Sequence, residues 1–369
     1  MAAIIKEIKK ICWIGLHEIK NGLVKEKYPK ELQFPITYKC NFNCVMCGMR
    51  NLINKDHCKP NEIREILSND LFCKVSSVGI NGGEPFIRAD LYECIEAITE
   101  SLPRLERIYI ISNGYLTDKI ISSLFEIKQL VSKANIKLTV SFSVDGIGDM
   151  QDLMRGMTGA FSKVNNTLDI IQSDLSKYCD NLNIICTITK KNVFSLYQVE
   201  KWADERKINV SYNVATVNAR IDNYDRYDDF SIFTDTHAKM MATEFFYKKY
   251  KETLDEKYYA LYLFCLEQNR YSDCTYKFNE GVTITPDGML CYCATHSDVI
   301  GDANRFSAKQ LFFGNKKHQQ EIRKRYCDHC SHYMYGLSFN GLIKLLRENN
   351  RYRRLNLYKR GKRKKWKCV

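Results

Sequence analysis

Short segments rich in β-branched residues alternate with longer helical segments between residues 34 and 214 of this 369-residue chain. Strands that alternate with helices form a parallel sheet with the helices packed outside it. Six such units are too few for a complete eight-stranded barrel. The sequence therefore predicts an α/β fold, a partial (βα)6 TIM-like barrel that stays open on one side. The predicted strands are Phe34–Tyr38, Val75–Ile80, Arg107–Ser112, Ile136–Val144, Leu182–Thr189 and Ile208–Val214, and the predicted helices cover 60–69, 90–101, 117–133, 160–178 and 195–206.

Four unusual loops follow the first four predicted strands. In parallel sheets the active site lies at the carboxyl ends of the strands, where all four loops would meet. Ordinary turn chemistry explains one glycine-rich loop, but it does not readily explain several on the same edge. We therefore expect one functional site there. The first loop contains Cys40, Cys44 and Cys47, and the others are Asn81-Gly82-Gly83-Glu84-Pro85, Ser112-Asn113-Gly114 and Ser143-Val144-Asp145-Gly146.

The first loop, which we call the cysteine loop (residues 40–47), has the spacing C-x3-C-x2-C. Three thiolates in one loop can ligate three irons of a [4Fe-4S] cluster, and the fourth iron is then free to bind another molecule. Structural zinc is the alternative, and zinc needs a fourth ligand, for which His57 or Cys58 is available.

Cysteine content and hydrophobicity indicate where the protein works. The chain has 16 cysteines and 45% hydrophobic residues, with neither a cleavable signal sequence nor an apolar segment long enough to span a bilayer. We therefore expect a cytoplasmic protein with a large core, in which clustered cysteines bind metal instead of forming disulfides. Single cysteines within apolar segments are predicted to be core residues, namely Cys12, Cys73, Cys94, Cys179, Cys186 and Cys265.

The four loops together resemble the motifs of the radical S-adenosylmethionine (radical SAM) enzymes over about residues 34–215. The resemblance implies a [4Fe-4S] cluster bound by three cysteines and by S-adenosylmethionine (SAM). A carboxylate suits the methionine ammonium, and a guanidinium suits the methionine carboxylate. The implied residues are Cys40, Cys44 and Cys47 for the cluster, Gly82, Gly83 and Glu84 for the ammonium, Asn113 in the turn after the third strand, Ser143 and Asp145 near the ribose, and Arg155 near the carboxylate.

These residues also have simpler interpretations. Glu84 could cap the helix that follows it, Arg155 could form a surface ion pair, and Asp145 could lie in an ordinary turn.

A second cysteine set resembles the auxiliary-cluster domains called SPASM and twitch. The resemblance implies one auxiliary [4Fe-4S] cluster, because the seven cysteines expected for two clusters are absent. Cys293 could replace Cys291 as a ligand, His296 and His329 are alternative metal ligands, and a zinc ribbon is the competing interpretation. The predicted cluster ligands are Cys274, Cys291, Cys327 and Cys330.

Charge is concentrated at the C-terminus. From Lys344 onward there are twelve Lys and Arg against one acid, Glu348, so this segment carries +11 of the net +13. A basic amphipathic segment suits an anionic membrane surface or a phosphate-bearing substrate, and a solvated tail is equally consistent with the pattern. We therefore expect peripheral contact with an anionic membrane surface and no specific nucleic acid.

The predicted organisation has five parts. They are an N-terminal amphipathic helix (1–33), the partial barrel (34–230), a helical linker (231–270), the auxiliary-cluster domain (271–340) and the basic tail (341–369).

The resemblance implies an oxidoreductase that reductively cleaves SAM to a 5′-deoxyadenosyl radical, which then abstracts hydrogen from a substrate C–H bond. The expected substrate is a small polar molecule such as a sugar or cyclitol, because about 33 residues before the barrel are too few for a peptide-leader domain. A peptide or protein maturase is the first alternative, and a zinc-stabilised binding protein is the second. A flavodoxin, a ferredoxin or another reductase is the expected electron donor. The sequence does not identify a catalytic proton acceptor.

Overall fold

The computed structural model describes residues 27–332 and 336–348. Within these residues nine strands form one sheet, with the order β6-β5-β4-β3-β2-β1-β7-β8-β9. The strands are β1 (Glu31–Thr37), β2 (Ser77–Gly82), β3 (Arg107–Ser112), β4 (Lys137–Ser143), β5 (Asn181–Ile188), β6 (Asn209–Val214), β7 (Gly281–Ile284), β8 (Met289–Cys291) and β9 (Val299–Asp302).

Helices connect and cover these strands. The α-helices are α1 (Pro60–Leu67), α2 (Leu91–Ser101), α3 (Thr117–Lys133), α4 (Asp149–Arg155), α5 (Ala160–Ser173), α6 (Leu175–Tyr178), α7 (Leu196–Glu205), α8 (Tyr227–Phe230), α9 (Thr236–Thr253), α10 (Glu256–Glu267), α11 (Ala308–Gly314), α12 (Lys316–Arg325) and α13 (339–348). Short 3-10 turns lie at Met49–Leu52, Asp70–Phe72, Pro85–Ile87, Val193–Ser195, Ala219–Ile221, Tyr224–Arg226, Ile232–Thr234 and Cys327–His329.

Strands β1 to β6 are parallel to their neighbours, which confirms the predicted partial barrel of six βα units. The predicted strand Arg107–Ser112 is identical to β3, and the other five overlap their observed counterparts. The predicted helix 160–178 is divided into α5 and α6, because the backbone at Asp174 (φ −150°) leaves the helical conformation. Helix α4 was not predicted; it has only seven residues and ends at Gly156.

The sheet does not stop with the barrel. Strand β7 pairs in parallel with β1, and β8 and β9 continue the sheet as antiparallel strands. The region that carries the second cysteine set is therefore joined to the edge of the barrel through backbone hydrogen bonds. The sequence did not indicate this continuity, because these strands have only three or four residues each.

The strands are strongly apolar on the face that carries the helices. Ile108 and Ile110 of β3 and Leu138 and Val140 of β4 are fully buried. Strands that are covered by helices have such dense apolar sequences. Burial of these apolar side chains is the main favourable contribution to folding.

The linker segment contains α9 and α10, which pack through aromatic side chains; the rings of Tyr250 and Tyr259 have their centroids 5.0 Å apart. Leu342 and Leu345 of α13 are buried in the same cluster, and the hydroxyl of Tyr259 donates to Oε2 of Glu348 at 2.6 Å. The first part of the predicted tail is therefore docked on the linker helices.

Some predicted features lie outside the described residues, and one differs from the structure. Residues 1–26 of the predicted N-terminal helix (1–33), which include Cys12, and residues 349–369 of the tail lie outside the described residues. The prediction for Cys73 is wrong, because this residue is exposed, whereas Cys94, Cys179, Cys186 and Cys265 are buried. Among the described helices none is long and apolar enough to cross a membrane.

Packing around β4 predicts the effect of a core truncation. Leu138→Ala should lower the free energy of unfolding by about 2–5 kcal/mol, because it removes a fully buried side chain. Leu175→Ala, at a position where the leucine is 38% exposed, is the matched control and should cost about 1 kcal/mol or less. Urea unfolding followed by circular dichroism measures both values, and equal losses would contradict the assigned packing.

Candidate active site

The cysteine loop follows β1 and is held first by the end of α4. The backbone N–H of Asn43 donates to the carbonyl oxygen of Arg155 at 3.3 Å, and that of Val45 donates to Met154 at 3.0 Å. Gly156 allows this approach, because a Cβ at this position would lie 2.2 Å from the carbonyl oxygen of Asn43. The loop therefore takes its shape from a helix that the sequence analysis missed.

The segment after β6 holds the loop from another direction. Asn223 is fully buried, and its Nδ2 donates to the carbonyl oxygen of Met46 at 2.8 Å. Nη1 of Arg226 donates to the carbonyl oxygen of Cys44 at 3.2 Å. These two side chains could not be predicted from the sequence, since nothing local to them indicates contact with a loop about 180 residues earlier.

Each of the three sulfur atoms in the loop receives one N–H donor. Burial raises the pKa of Cys40 to about 12 and the pKa of Cys44 to about 11. A thiolate in this position therefore depends on nearby positive charge, which N–H groups supply in part and cluster irons would supply in full. The donor–sulfur pairs are the Phe42 N–H and Cys40 (3.4 Å), Nη1 of Arg155 and Cys44 (3.8 Å), and the Met49 N–H and Cys47 (3.5 Å). This donor set fits a cluster held by three cysteines.

The Gly82-Gly83-Glu84 segment lies against the start of the cysteine loop. Gly82 is the last residue of β2 and pairs with Thr37. The N–H of Gly83 donates to Thr37 O, and that of Glu84 donates to Lys39 O, both at 2.8 Å. A Cβ at Gly83 would lie 2.0 Å from Lys39 O, so only glycine permits this contact.

Glu84 is 1% exposed and connects the ends of β2 and β3. Its carboxylate accepts from the Ser112 hydroxyl at 2.9 Å and from the N–H groups of Asn113 at 2.7 Å and Phe86 at 3.2 Å. Burial raises its pKa to about 7 against these hydrogen bonds. Glu84 thus does cap the turn Pro85–Ile87, and its proposed role toward the methionine ammonium stays a prediction; two carboxylate oxygens have room for a further donor.

Asp145 and Arg155 form a buried ion pair. Oδ2 of Asp145 lies 2.8 Å from Nη2 of Arg155, and Oδ1 accepts from the Thr187 N–H at 2.7 Å. Asp145 is completely buried and Arg155 is 8% exposed, so Arg155 does not form a surface ion pair. Through this pair the end of β4 is connected to Cys44.

The remaining predicted residues lie at the same edge. Nδ2 of Asn113 donates to Oδ1 of Asn41 in the cysteine loop at 2.8 Å. Ser143 is half-buried at the end of β4, where Gln151 holds the turn by donating to Ser143 O at 2.8 Å and accepting from the Asp145 N–H at 2.7 Å. All four loops therefore meet at one edge, as the strand order requires.

Four cysteines of the second set line one cavity, and they differ from the predicted four by one residue. Strand β8 ends at Cys291, which pairs with Thr283. Cys293, beyond the strand, lines both this cavity and a neighbouring one, whereas Cys291 lines the neighbouring one and not this one. We therefore infer Cys293 instead of Cys291 as the ligand. The sulfurs of Cys293 and Cys330 accept from the N–H groups of His296 and His332, both at 3.4 Å. The cavity cysteines are Cys274, Cys293, Cys327 and Cys330.

Of the alternative metal ligands, His296 lines the same cavity as the four cysteines, and the other three make contacts elsewhere. His57 contacts the Thr37 hydroxyl at 3.3 Å, Cys58 contacts Asn304, and Nδ1 of His329 contacts Gln268 O at 3.1 Å. Across residues 27–332 and 336–348, no three His, Cys, Asp or Glu side chains are close enough to share one metal ion. Cysteines that surround a cavity suit a multi-iron cluster, whose ligand sulfurs lie farther apart than those on one zinc ion.

The raised pKa of Glu84 predicts a pH dependence of stability. The folded state holds the carboxyl proton more tightly than the unfolded state, so this stabilisation is full below the ordinary pKa of 4.5 and is lost as the pH rises through about 7. Between about pH 5 and pH 7.5 the natural chain should lose about 1–3 kcal/mol more unfolding free energy than Glu84→Gln, which cannot titrate. Urea unfolding of the iron-free chain measures the two slopes, and equal slopes would contradict the assigned burial.

The two cysteines near the end of β8 provide a matched pair of variants. The reconstituted natural chain should hold about eight irons, which corresponds to two [4Fe-4S] clusters. Cys293→Ala should lower the iron content to about four, whereas Cys291→Ala should leave it unchanged. Iron and sulfide analysis of both variants tests the assignment, and the reverse result would restore Cys291 as the ligand.

Comparison with known proteins assigns this chain to a family. Residues 34–227, just over half of the chain, match the sequence profile of the Radical SAM superfamily. The GTP 3′,8-cyclase of Pasteurella multocida is 30% identical over 163 residues, which cover 40% of this chain and 48% of that protein. A probable GTP 3′,8-cyclase of Methanococcus vannielii is 29% identical over 184 residues, which cover 45% and 61%. The chain thus spans about half the length of the curated relatives it matches.

Solved structures share the fold over more of the chain. The structure of anSMEcpe with bound AdoMet has a TM-score of 0.59 at 17% identity and covers 89% of this chain and 95% of that chain. Streptococcus suis SuiB bound to its precursor peptide SuiA has a TM-score of 0.58 at 15% identity and covers 86% and 70%. At these identities the likeness concerns the fold alone. With the profile match, we conclude that the chain belongs to the radical SAM superfamily, whose members bind a [4Fe-4S] cluster and SAM.

Proposed function

We propose that this chain reductively cleaves SAM and removes a hydrogen atom from a C–H bond of a small polar molecule. When bound, the cluster and SAM would supply a one-electron cleavage that yields methionine and a 5′-deoxyadenosyl radical. The observation that carries the proposal is the cysteine loop itself, because each of its three sulfurs has a donor of its own at the carboxyl edge of a parallel sheet.

The chain's own residues have distinct proposed tasks. Cys40, Cys44 and Cys47 would hold the cluster. The Gly82–Glu84 segment lies against the start of this loop and would receive the methionine ammonium. Arg155 reaches Cys44 with one nitrogen and Asp145 with another, so it is positioned beside the cluster site with its charge already partly compensated. An anionic carboxylate of SAM would complete that compensation.

A cavity of about 430 Å³ between the barrel and the second cysteine region is the proposed substrate site. Tyr38, which precedes the cysteine loop in the sequence, and Leu52, which follows it, line this cavity from the barrel. Cys291 and Cys293 line it from the other region, and the Tyr38 hydroxyl joins the two by donating to Oδ1 of Asp287 at 2.7 Å. A cavity of this size and polarity suits a small polar molecule. Cys274, Cys293, Cys327 and Cys330 would hold the auxiliary cluster in the adjoining cavity, which shares Cys293 with this one.

A peptide substrate is the second candidate. It is supported by the fold shared with anSMEcpe bound to the Cp18Cys peptide, which has a TM-score of 0.56 and of which 98% is covered. The curated relatives are instead named GTP 3′,8-cyclase or probable GTP 3′,8-cyclase. A sugar or cyclitol, net oxidation of the substrate, and a flavodoxin or ferredoxin as electron donor remain parts of the proposal. A zinc-stabilised binding protein is not proposed, given the family match.

Release of 5′-deoxyadenosine tests the proposed reaction. The anaerobically reconstituted chain should form this nucleoside from SAM when dithionite is the reductant. Cys44→Ala should lower the rate at least about 100-fold, because it removes one of three cluster ligands. Cys73→Ala, at an exposed cysteine away from the loop, is the matched control and should keep the natural rate. Liquid chromatography with mass detection measures the product, and nucleoside release that survives Cys44→Ala would contradict the proposal.

A further inference from the structure

We infer that Arg220 forms a subsite that binds an oxyanion group, a carboxylate or a phosphate, of the substrate. This inference rests on the proposed function, since it concerns the same cavity between the two cysteine regions. It assigns a role to a residue that neither the sequence motifs nor the comparisons single out.

The backbone places Arg220 firmly at this cavity. Arg220 lies in the turn Ala219–Ile221 after β6, where its N–H donates to Oδ1 of Asn218 at 2.9 Å. Asn218 is itself buried, at 4% exposure. Nη1 of Arg220 donates to Oδ1 of Asn81 at 2.9 Å. Asn81 comes directly before Gly82 and Gly83, so the guanidinium is held beside the proposed SAM site.

No Asp or Glu in the described part of the chain forms an ion pair with Arg220; a nearby source of negative charge is Cys47, whose sulfur would be a cluster ligand. Residues 27–332 and 336–348 contain no carboxylate within ion-pair distance of it, and its buried Nε has no hydrogen-bond partner. Asp222, two residues further on, accepts instead from Nδ2 of Asn51 at 3.4 Å. A partly buried guanidinium without an anion is unfavourable, and its planar fork matches the geometry of carboxylate and phosphate. An anionic ligand would therefore give the guanidinium an oxyanion partner that no Asp or Glu of the described residues supplies.

The same cavity contains a second unsatisfied group. Oγ1 of Thr283 is buried and has no partner, and Thr283 lines the cavity together with Arg220 and Lys55. Buried polar groups are nearly always hydrogen-bonded, so two unpartnered polar atoms in residues that line one cavity favour a polar ligand there. Asp222 and Asp298 also line the cavity; by repulsion they would direct an anion toward Arg220 and Lys55.

Binding of simple anions tests this inference. Inorganic phosphate and malonate are titrated separately into the reconstituted full chain with SAM present, and isothermal titration calorimetry gives the dissociation constants. Arg220→Gln should weaken binding of the preferred anion at least about tenfold, because it removes a charge-assisted contact. Arg220→Lys keeps the charge without the fork and should recover part of the loss. The preferred anion shows whether phosphate or carboxylate is recognised.

Arg107→Gln is the matched control, because Arg107 begins β3 at the opposite end of the sheet and pairs with Glu106. It should bind both anions as the natural chain does. Unchanged affinity in both Arg220 variants, an equal loss in Arg107→Gln, or no binding to the natural chain would overturn the subsite. Anion binding that depends on Arg220 in a protein that releases no 5′-deoxyadenosine would instead overturn only the proposed reaction.

Discussion

Arg155 carries a positive charge into the interior beside the cysteine loop, and the fully buried Asp145 compensates that charge at 2.8 Å. Removing either partner would leave the other buried without compensation, which is strongly unfavourable. The second terminal nitrogen of Arg155 donates to the sulfur of Cys44. The backbone carbonyl oxygen of Arg155 accepts from the N–H of Asn43. The end of β4, helix α4 and the cysteine loop are therefore fixed relative to one another, and the other loops of the edge pack around them.

Close backbone contacts complete this arrangement. Gly83 and Glu84 donate to the chain just before the loop cysteines, and Gly156 lies against Asn43. The glycine motifs thus shape the loop that would hold the cluster, in addition to any contact with SAM. Burial raises the pKa of Cys40 and Cys44, so cluster irons and N–H donors together would keep these sulfurs as thiolates. Metal binding and correct loop geometry should consequently support each other.

The sequence predicted the parts of this architecture that depend on regular patterns. Alternating apolar segments identified the six parallel strands, and the carboxyl edge then followed for the loops at Cys40, Glu84, Asn113 and Asp145. What it missed depends on contacts between distant residues. Asn223 and Arg220 become meaningful only when β6 brings them to this edge, and our proposal of Cys293 in place of Cys291 rests on where a three-residue strand ends. The pairing of β7 with β1 could not be predicted either, because β7 has only four residues.

The chain thus combines a cysteine loop at the barrel edge, a second cysteine cavity on an extension of the same sheet, and a polar cavity between them. We propose that SAM binds the cluster held by Cys40, Cys44 and Cys47. Electron paramagnetic resonance of the dithionite-reduced Cys293→Ala variant, which should keep only that cluster, tests this most directly. Addition of SAM should shift the cluster signal, because the cofactor would occupy the iron that lacks a cysteine. A cluster signal that is identical with and without SAM would contradict the assignment.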